Sequence, residues 1–430
     1  MTRKLLSWFG LAFGLLWLLL AIIASFRYTG RDGVIDPVRM YWDVMALPGS
    51  ELTLPMIGIA IVVLALLLAR GGHRLTARRV ATGLILAAVV LLGVGLGQAA
   101  GTSGRMQRVL EAGLGAGFLD EIPPERRALA AAPLTFSDWA RPIHFDTQGI
   151  ETIADISYGE HGERNLLDVL RPAGPVGSGR PVLLHMHGGG YASGRKNLSA
   201  LPLLHRMARA GWVVVTINYR LVPQARWPAP LVDTKRAVAW IRAHIAEYGG
   251  DPGFIAATGG SAGGNLALFL ALTAGDARLQ PGFETADTRI QAAVPYYAGL
   301  EDYDFTDTLD LLVAHVRTNV LPPERADDPA AWAEMLPATY LRADTPPVLI
   351  VSGTNDALAL IEGARQFAPR LKAVSTAPVV LAEIEGGFHG FDDTRSLRAQ
   401  AAARGAHQFL EWAVARWRSD PAGGGGLTTR

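Results

Sequence analysis

Ser261 stands in the run Ala256-Ala257-Thr258-Gly259-Gly260-Ser261-Ala262-Gly263-Gly264, where Gly259, Ser261 and Gly263 fit Gly-x-Ser-x-Gly. That chemistry needs a sharp strand-to-helix turn that exposes the serine hydroxyl. Glycines two positions to either side permit such a turn, because a Cβ there would clash with neighbouring backbone. The helix that opens after the serine favours an anion nearby, through its free N–H groups and its dipole. A second run, His187-Gly188-Gly189-Gly190-Tyr191, lets backbone approach a substrate and points N–H groups into a cavity, the requirement of an oxyanion hole. Each such donor stabilises a tetrahedral intermediate by about 3–4 kcal/mol, judged by its removal. Taken singly, the two runs also fit a short glycine-rich turn and a flexible loop. A phosphate-binding loop fits worse, since neither Gly-x-Gly-x-x-Gly nor a following Lys-Ser/Thr is present.

Both runs need strands behind them, and the pattern supplies these. Short β-branched runs recur at Glu151–Tyr158, Asn165–Arg171, Pro181–Met186, Trp212–Asn218, Phe254–Thr258, Ile290–Pro295, Pro347–Ser352 and Pro378–Ile384. The first two suit a hairpin. Most of the others are near-continuous apolar runs, as expected of strands covered on both faces. Helical patterns lie between them at Leu201–Ala210, Leu231–Glu247 and Asn265–Ala274. The expectation is an α/β fold with a mostly parallel eight-stranded sheet. Two segments break the rhythm. Leu300–Thr345 reads as a cap inserted over the site, with Leu311, Leu312, Val316 and Trp332 as packing side chains, and residues 105–150 read as a linker or a contribution to that cap. The glycine-rich tail, 419–430, reads as disordered.

The pair HGGG and GGSAGG, in this order on an alternating α/β chain, resembles the hormone-sensitive-lipase-like carboxylesterase branch of the α/β-hydrolase superfamily. The resemblance covers about residues 150–415, with Asn218-Tyr219-Arg220-Leu221 and Asp251-Pro252 as supporting segments. It implies a chain order of nucleophile, acid and histidine. Carried over, Gly189, Gly190 and Ala262 would donate to the oxyanion. Asp356, in the loop after Pro347–Ser352, would be the acid that fixes the imidazole tautomer, with Glu362 as its alternative. An aspartate there also suits a helix N-cap. His389, in Gly386-Gly387-Phe388-His389-Gly390-Phe391, would be the base. A loop histidine between glycines can swing its ring, and its ordinary pKa of about 6.5 suits that work near neutrality. His185, His205, His244 and His315 have no such context and read as structural.

The first hundred residues differ in kind. Leu5–Phe26, Leu52–Ala69 and Val80–Gly97 contain no charged residue, and a bilayer needs about 20 apolar residues per helix. Aromatic residues flank them at Trp8, Phe9, Phe26, Tyr28, Tyr41 and Trp42. A cleaved leader at Ala24-Ser25 is the alternative for the first, but its apolar run exceeds the usual one of about 7–15 residues. The expectation is three transmembrane helices within 1–104, at about 5–26, 52–69 and 80–100, ahead of a catalytic domain at 151–418. Arg3, Lys4, Arg70, Arg74, Arg78 and Arg79 have no acidic neighbours, whereas residues 27–51 mix both signs. The N-terminus is therefore expected in the cytoplasm and the catalytic domain outside it, in a multi-pass cell-membrane protein.

Composition removes other classes. Forty basic and 39 acidic residues leave a net charge of +1, which argues against a nucleic-acid partner. No cysteine and no His-x-x-x-His pair leave no metal constellation, and no cofactor motif is present. The expected activity is hydrolysis of an acyl ester or lipid substrate through an acyl-enzyme, beside the bilayer. The same machinery would serve an amidase, formamidase or acyltransferase. A catalytically silent binding module is a further alternative. A transporter fits least, since the spans hold no ionisable residue.

Overall fold

A computed structural model describes residues 3–25, 36–69, 75–175, 177–300 and 310–420. Its centre is one eight-stranded sheet: β1 (Ile150–Ser157), β2 (Leu166–Pro172), β3 (Arg180–Met186), β4 (Val213–Ile217), β5 (Gly250–Gly260), β6 (Ala292–Tyr296), β7 (Val348–Gly353) and β8 (Val379–Ile384). The spatial order is β1-β2-β4-β3-β5-β6-β7-β8. The β1–β2 and β2–β4 pairs are antiparallel and the rest parallel, so the mostly parallel sheet expected from the pattern is present. Alternation sends Val182, Leu184, Val213, Val215, Ile255 and Ala257 to one face. Leu183, Val214, Phe254 and Ala256 go to the other. Both faces are buried, which is why these strands read as unbroken apolar runs.

The N-terminal region is helical: α1 (Arg3–Ser25), α2 (Asp36–Glu51), α3 (Thr53–Ala69) and α4 (Leu75–Ala100). Ala21, Met56, Ala88 and Leu92 form one small inner cluster, and Ala60, Leu67, Ala81 and Ile85 another. Leu15, Leu19, Val62, Leu66, Val90 and Val94 face outward. The segment expected as a mixed-charge loop, 27–51, is helical from Asp36, and its Val44–Glu51 portion bends 76° into α3. Pro48-Gly49 reads as a chain breaker, but Ala46 is covered by neighbouring side chains and Glu51 has a buried partner. By length and composition two helices, or three if the bent pair counts as one, could cross a membrane.

A second departure follows α4. The chain passes at once into α5 (Thr102–Leu114), then α6 (Pro124–Ala131) and α7 (Phe136–Trp139). Met106, Leu110, Phe118 and Ile122 are buried in the core on the second face of the sheet. Arg126 pairs with Glu411 at 2.7 Å, and the same carboxylate accepts the Trp212 indole N–H at 2.7 Å. Residues 102–131 thus pack on the body of the domain, because that sheet face needs their apolar side chains to exclude water, while α7 buries no side chain.

The remaining helices are α8 (Leu201–Arg209), α9 (Ala229–His244), α10 (Ala262–Leu272), α11 (Asp310–His315), α12 (Pro329–Glu334), α13 (Ile361–Val374) and α14 (Leu397–Ser419). Helices α8 and α14 join α5 through Leu203, Met207 and Phe409. Helices α9, α10 and α13 cover the first face through Leu231, Val238, Leu266 and Phe367. Every residue of α10 is buried, so it shows no amphipathic stripe. The described part of the 300–345 insertion, with α11 and α12, lies between β6 and β7 and packs Val316, Val320, Trp332 and Met335 on the α9–α10 side. Residues 301–309 of that insertion, 421–430 of the tail, 26–35 and the stretch 70–74 with Arg70 and Arg74 lie outside the described residues.

Candidate active site

Ser261 falls between the last residue of β5 and the first of α10, at φ 57° and ψ −123°. A non-glycine residue held there costs about 1–3 kcal/mol, so its surroundings must impose it. They do. Ser261 N–H donates to the Tyr296 carbonyl at 3.0 Å, and its own carbonyl accepts the Asn265 N–H at 3.0 Å. A Cβ at Gly259 would lie 2.5 Å from the Gly263 and Met186 carbonyls, and one at Gly263 would overlap Met186 O outright. Only glycine lets α10 pack this close to β3 and β5. Ala262 is the first residue of α10, so its N–H belongs to the turn that has no intrahelical acceptor.

The His187–Tyr191 run follows β3 directly. Gly189 and Gly190 have φ of 109° and 59°, a region other side chains rarely enter. The loop is braced from three sides. The His187 ring stacks on Tyr219 with centroids 4.2 Å apart, and the Tyr219 hydroxyl donates to the His187 carbonyl at 2.7 Å. The Gly189 carbonyl accepts the Ala192 and Ser193 N–H groups at 3.0 Å. His315 Nε2 on α11 donates to the Gly190 carbonyl at 2.8 Å. Burial pushes the His187 imidazole down to about 4, so it stays neutral around pH 7.

Asp356 and His389 come together from the ends of β7 and β8. His389 Nδ1 lies 2.9 Å from Asp356 Oδ2 and 3.2 Å from Oδ1. A carboxylate only accepts, so the imidazole proton sits on Nδ1 and Nε2 keeps its lone pair. Asp356 is fully buried, and its Oδ1 also accepts the Leu358 and Ala359 N–H groups at 2.9 and 2.8 Å. Those bonds fix its orientation. Glu362, the alternative acid, stands in the first turn of α13 and faces Arg365 at 3.7 Å.

Gly189, Ser261 and His389 line two adjoining cavities. One, about 560 Å³, also takes in Gly190, Tyr191, Ala262, Leu312, His315, Val316, Val320 and Leu358, and is largely apolar. The other, about 240 Å³, takes in Arg195, Ser199, Tyr297 and Asp393. Nothing in the spacing singles out His315, which reaches the Gly188–Gly190 loop from the insertion. Tyr297 is a further unforeseen neighbour. Its ring lies 4.8 Å from that of His389, and its hydroxyl donates to the buried Asp392. Burial raises the Asp392 carboxyl to about 7 and that of Asp393 to about 6. The adjacent pair Asp392-Asp393, three residues after the histidine, was the one signal in the sequence for this network.

Residues 167–371 match the BD-FAE family model. The chain is 45% identical over 261 residues to a protein named "Probable carboxylic ester hydrolase LipM" from Mycobacterium tuberculosis, covering 60% of each chain. It is 39% identical over 258 residues to esterase LipQ of the same organism, covering 60% of this chain and 61% of that one. The chain thus spans about three fifths of the length of these curated relatives. In fold it is similar to esterase B from Lactobacillus rhamnosis, with a TM-score of 0.52 at 18% identity over 69% of this chain and 94% of that one.

Proposed function

We propose that this chain, which carries an α/β-hydrolase domain of the hormone-sensitive-lipase-like carboxylesterase kind, hydrolyses acyl esters through an acyl-enzyme at Ser261. The observation that carries the reading is the bond from His389 Nδ1 to the buried Asp356 carboxylate, beside a serine held at a strained turn on the same cavities. Ser261 Oγ attacks the ester carbonyl carbon while His389 Nε2 takes the hydroxyl proton. The developing oxyanion is met by the N–H groups of Gly189, Gly190 and Ala262. Collapse breaks the acyl–oxygen bond, and the imidazolium returns its proton to the departing alcohol. Water, deprotonated by the same imidazole, then releases the acid and restores Ser261. The larger apolar cavity suits an acyl chain.

The reading extends to the membrane. Helices α1, α3 and α4 cross the bilayer, with the N-terminus in the cytoplasm and α2, its end residue Glu51 and the hydrolase domain outside. Two observations support it. Outward side chains such as Leu15, Leu66 and Val90 offer lipid an apolar surface. Glu51 and Arg105, which that topology puts on one side, both pair with residues of the hydrolase domain.

Turnover of chromogenic acyl esters of increasing chain length, by the full chain and its Ser261→Ala variant, tests the chemistry. Hydrolysis that survives the substitution undamaged would reject it. Because the chain has no cysteine, single cysteines at Ser137 and Thr76 test the topology with an impermeant thiol reagent. Labelling of Ser137→Cys but not Thr76→Cys in intact cells is expected, and the reverse would invert the orientation.

A further inference from the structure

The loop that carries His389 is gripped by residues from the N-terminal helices. It leaves β8 at Glu385 and enters α14 after Ser396. Arg398, buried in the first turn of α14, donates from Nε to the Glu385 carbonyl at 3.1 Å. Its Nη1 meets Glu51 Oε1 at 2.7 Å and the Ser50 carbonyl at 3.2 Å. The other Glu51 oxygen accepts the Ser396 hydroxyl. One buried carboxylate at the end of α2 therefore ties together both ends of the loop.

Three more contacts point the same way. Phe388, the residue before His389, is fully buried against Ile23 of α1 and Ala46 of α2. Arg105 of α5 pairs with Glu385 at 2.8 Å. A Cβ at Gly386 would stand 3.2 Å from the Gln98 carboxamide oxygen, so α4 also borders the loop. A buried ion pair adds little net stability, because desolvating both charges offsets their attraction. What it supplies here is geometry. Without the Glu51 charge, Arg398 would be left buried with carbonyl partners alone, and the loop would lose its fixed footing.

We propose that Glu51 is a positioning residue for His389, so that the N-terminal helices complete the catalytic site as well as anchoring it. This rests on the reading of His389 as the base for Ser261. A misplacement of about 1 Å at such a base costs on the order of 100-fold in rate, which sets the scale of the effect.

The test uses the full chain in detergent, as wild type, Glu51→Gln and Glu51→Asp. The readouts are kcat and KM on a short-chain chromogenic ester, the rate and final extent of fluorophosphonate labelling, and the thermal unfolding midpoint. For Glu51→Gln, kcat should fall about 10- to 100-fold with KM within about twofold. Labelling should slow in step while reaching the wild-type final extent, and Glu51→Asp should recover most of the loss. Wild-type kcat and labelling rate in Glu51→Gln would overturn the proposal. So would a loss that only follows the fraction of protein folded, or one that Glu51→Asp leaves uncorrected. Should Glu51→Gln fail to fold, Ile23→Ala, which loosens the packing on Phe388 and spares the ion pair, is judged by the same two rates. An inactive wild type, or an active Ser261→Ala, would instead strike down the catalytic reading itself.

Discussion

The Ser261 turn and the His389 loop do their positioning in opposite ways. Around the serine, nearly everything is backbone and short-range. Gly259, Gly263, the Tyr296 carbonyl and the close approach of β3 leave one conformation available. Around the histidine, the holding groups are side chains from afar: Asp356 from the β7 loop, Tyr297 from the end of β6, Phe388 against α1 and α2, and Arg398 on Glu51. A serine held by backbone crowding tolerates almost no change at the turn. A histidine held by a web of side chains can be detuned by degrees, and from a distance. The N-terminal helices therefore bear on His389 far more than on Ser261.

Substitutions of graded severity test that contrast. The largest loss is expected within the reacting groups. Asp356→Asn should lower kcat about 10⁴-fold with little change in KM, because the neutral amide no longer enforces the Nδ1–H tautomer. A drop under about tenfold on steady-state assay would show that the acid lies elsewhere. Next comes the turn. Gly263→Ala drives a methyl into the Met186 carbonyl, and a loss of roughly 1–3 kcal/mol or more in denaturant unfolding is expected. Unchanged stability there would mean the turn is looser than its geometry implies. His315→Ala removes one brace from the Gly188–Gly190 loop and should cost kcat about tenfold or less, since the Gly189 carbonyl bonds remain. A loss as deep as that of Asp356→Asn would make His315 part of the reacting machinery.

The smallest effect concerns Asp392, whose carboxyl burial raises from its ordinary 3.8 to about 7. The folded chain holds this proton more tightly than the unfolded chain does. That contribution to stability is full below about pH 4 and is lost as pH rises through about 7. Asp392→Asn cannot ionise, so unfolding midpoints should shift in the variant's favour between pH 5 and pH 8. A pH-independent difference would contradict the raised value.

The contrast also explains what was legible in the sequence. The central strand segments could be read because both sheet faces are covered there, which leaves short apolar runs separated by helices, whereas the half-exposed edge strand β1 was marked by its β-branched residues. The bounds of the strand segments agree to within two residues except at the start of β5, which begins four residues early because Asp251-Pro252, which looks like a turn, lies within the strand. Ser261 and the Gly188–Gly190 run could be read because their requirement for glycine is local. Asp356 and His389 needed the expected chain order as well. Glu51 could not be read, because its partner Arg398 lies 347 residues away and nothing near either one marks the pairing. His315 escaped for the same reason, with its acceptor 125 residues distant. Residues 105–150 read as a linker or cap contribution because the apolar positions from Met106 to Ile122 make sense only against a sheet face formed by strands that follow them.

Rapid quenching of a reaction with a slowly deacylating ester, followed by digestion and peptide mass measurement, tests the acyl-enzyme directly. The mass of the acyl group should appear on the peptide that contains Ser261, and should be absent from the Ser261→Ala protein. Turnover with that peptide unmodified, or with the acyl mass on another residue, would contradict the account.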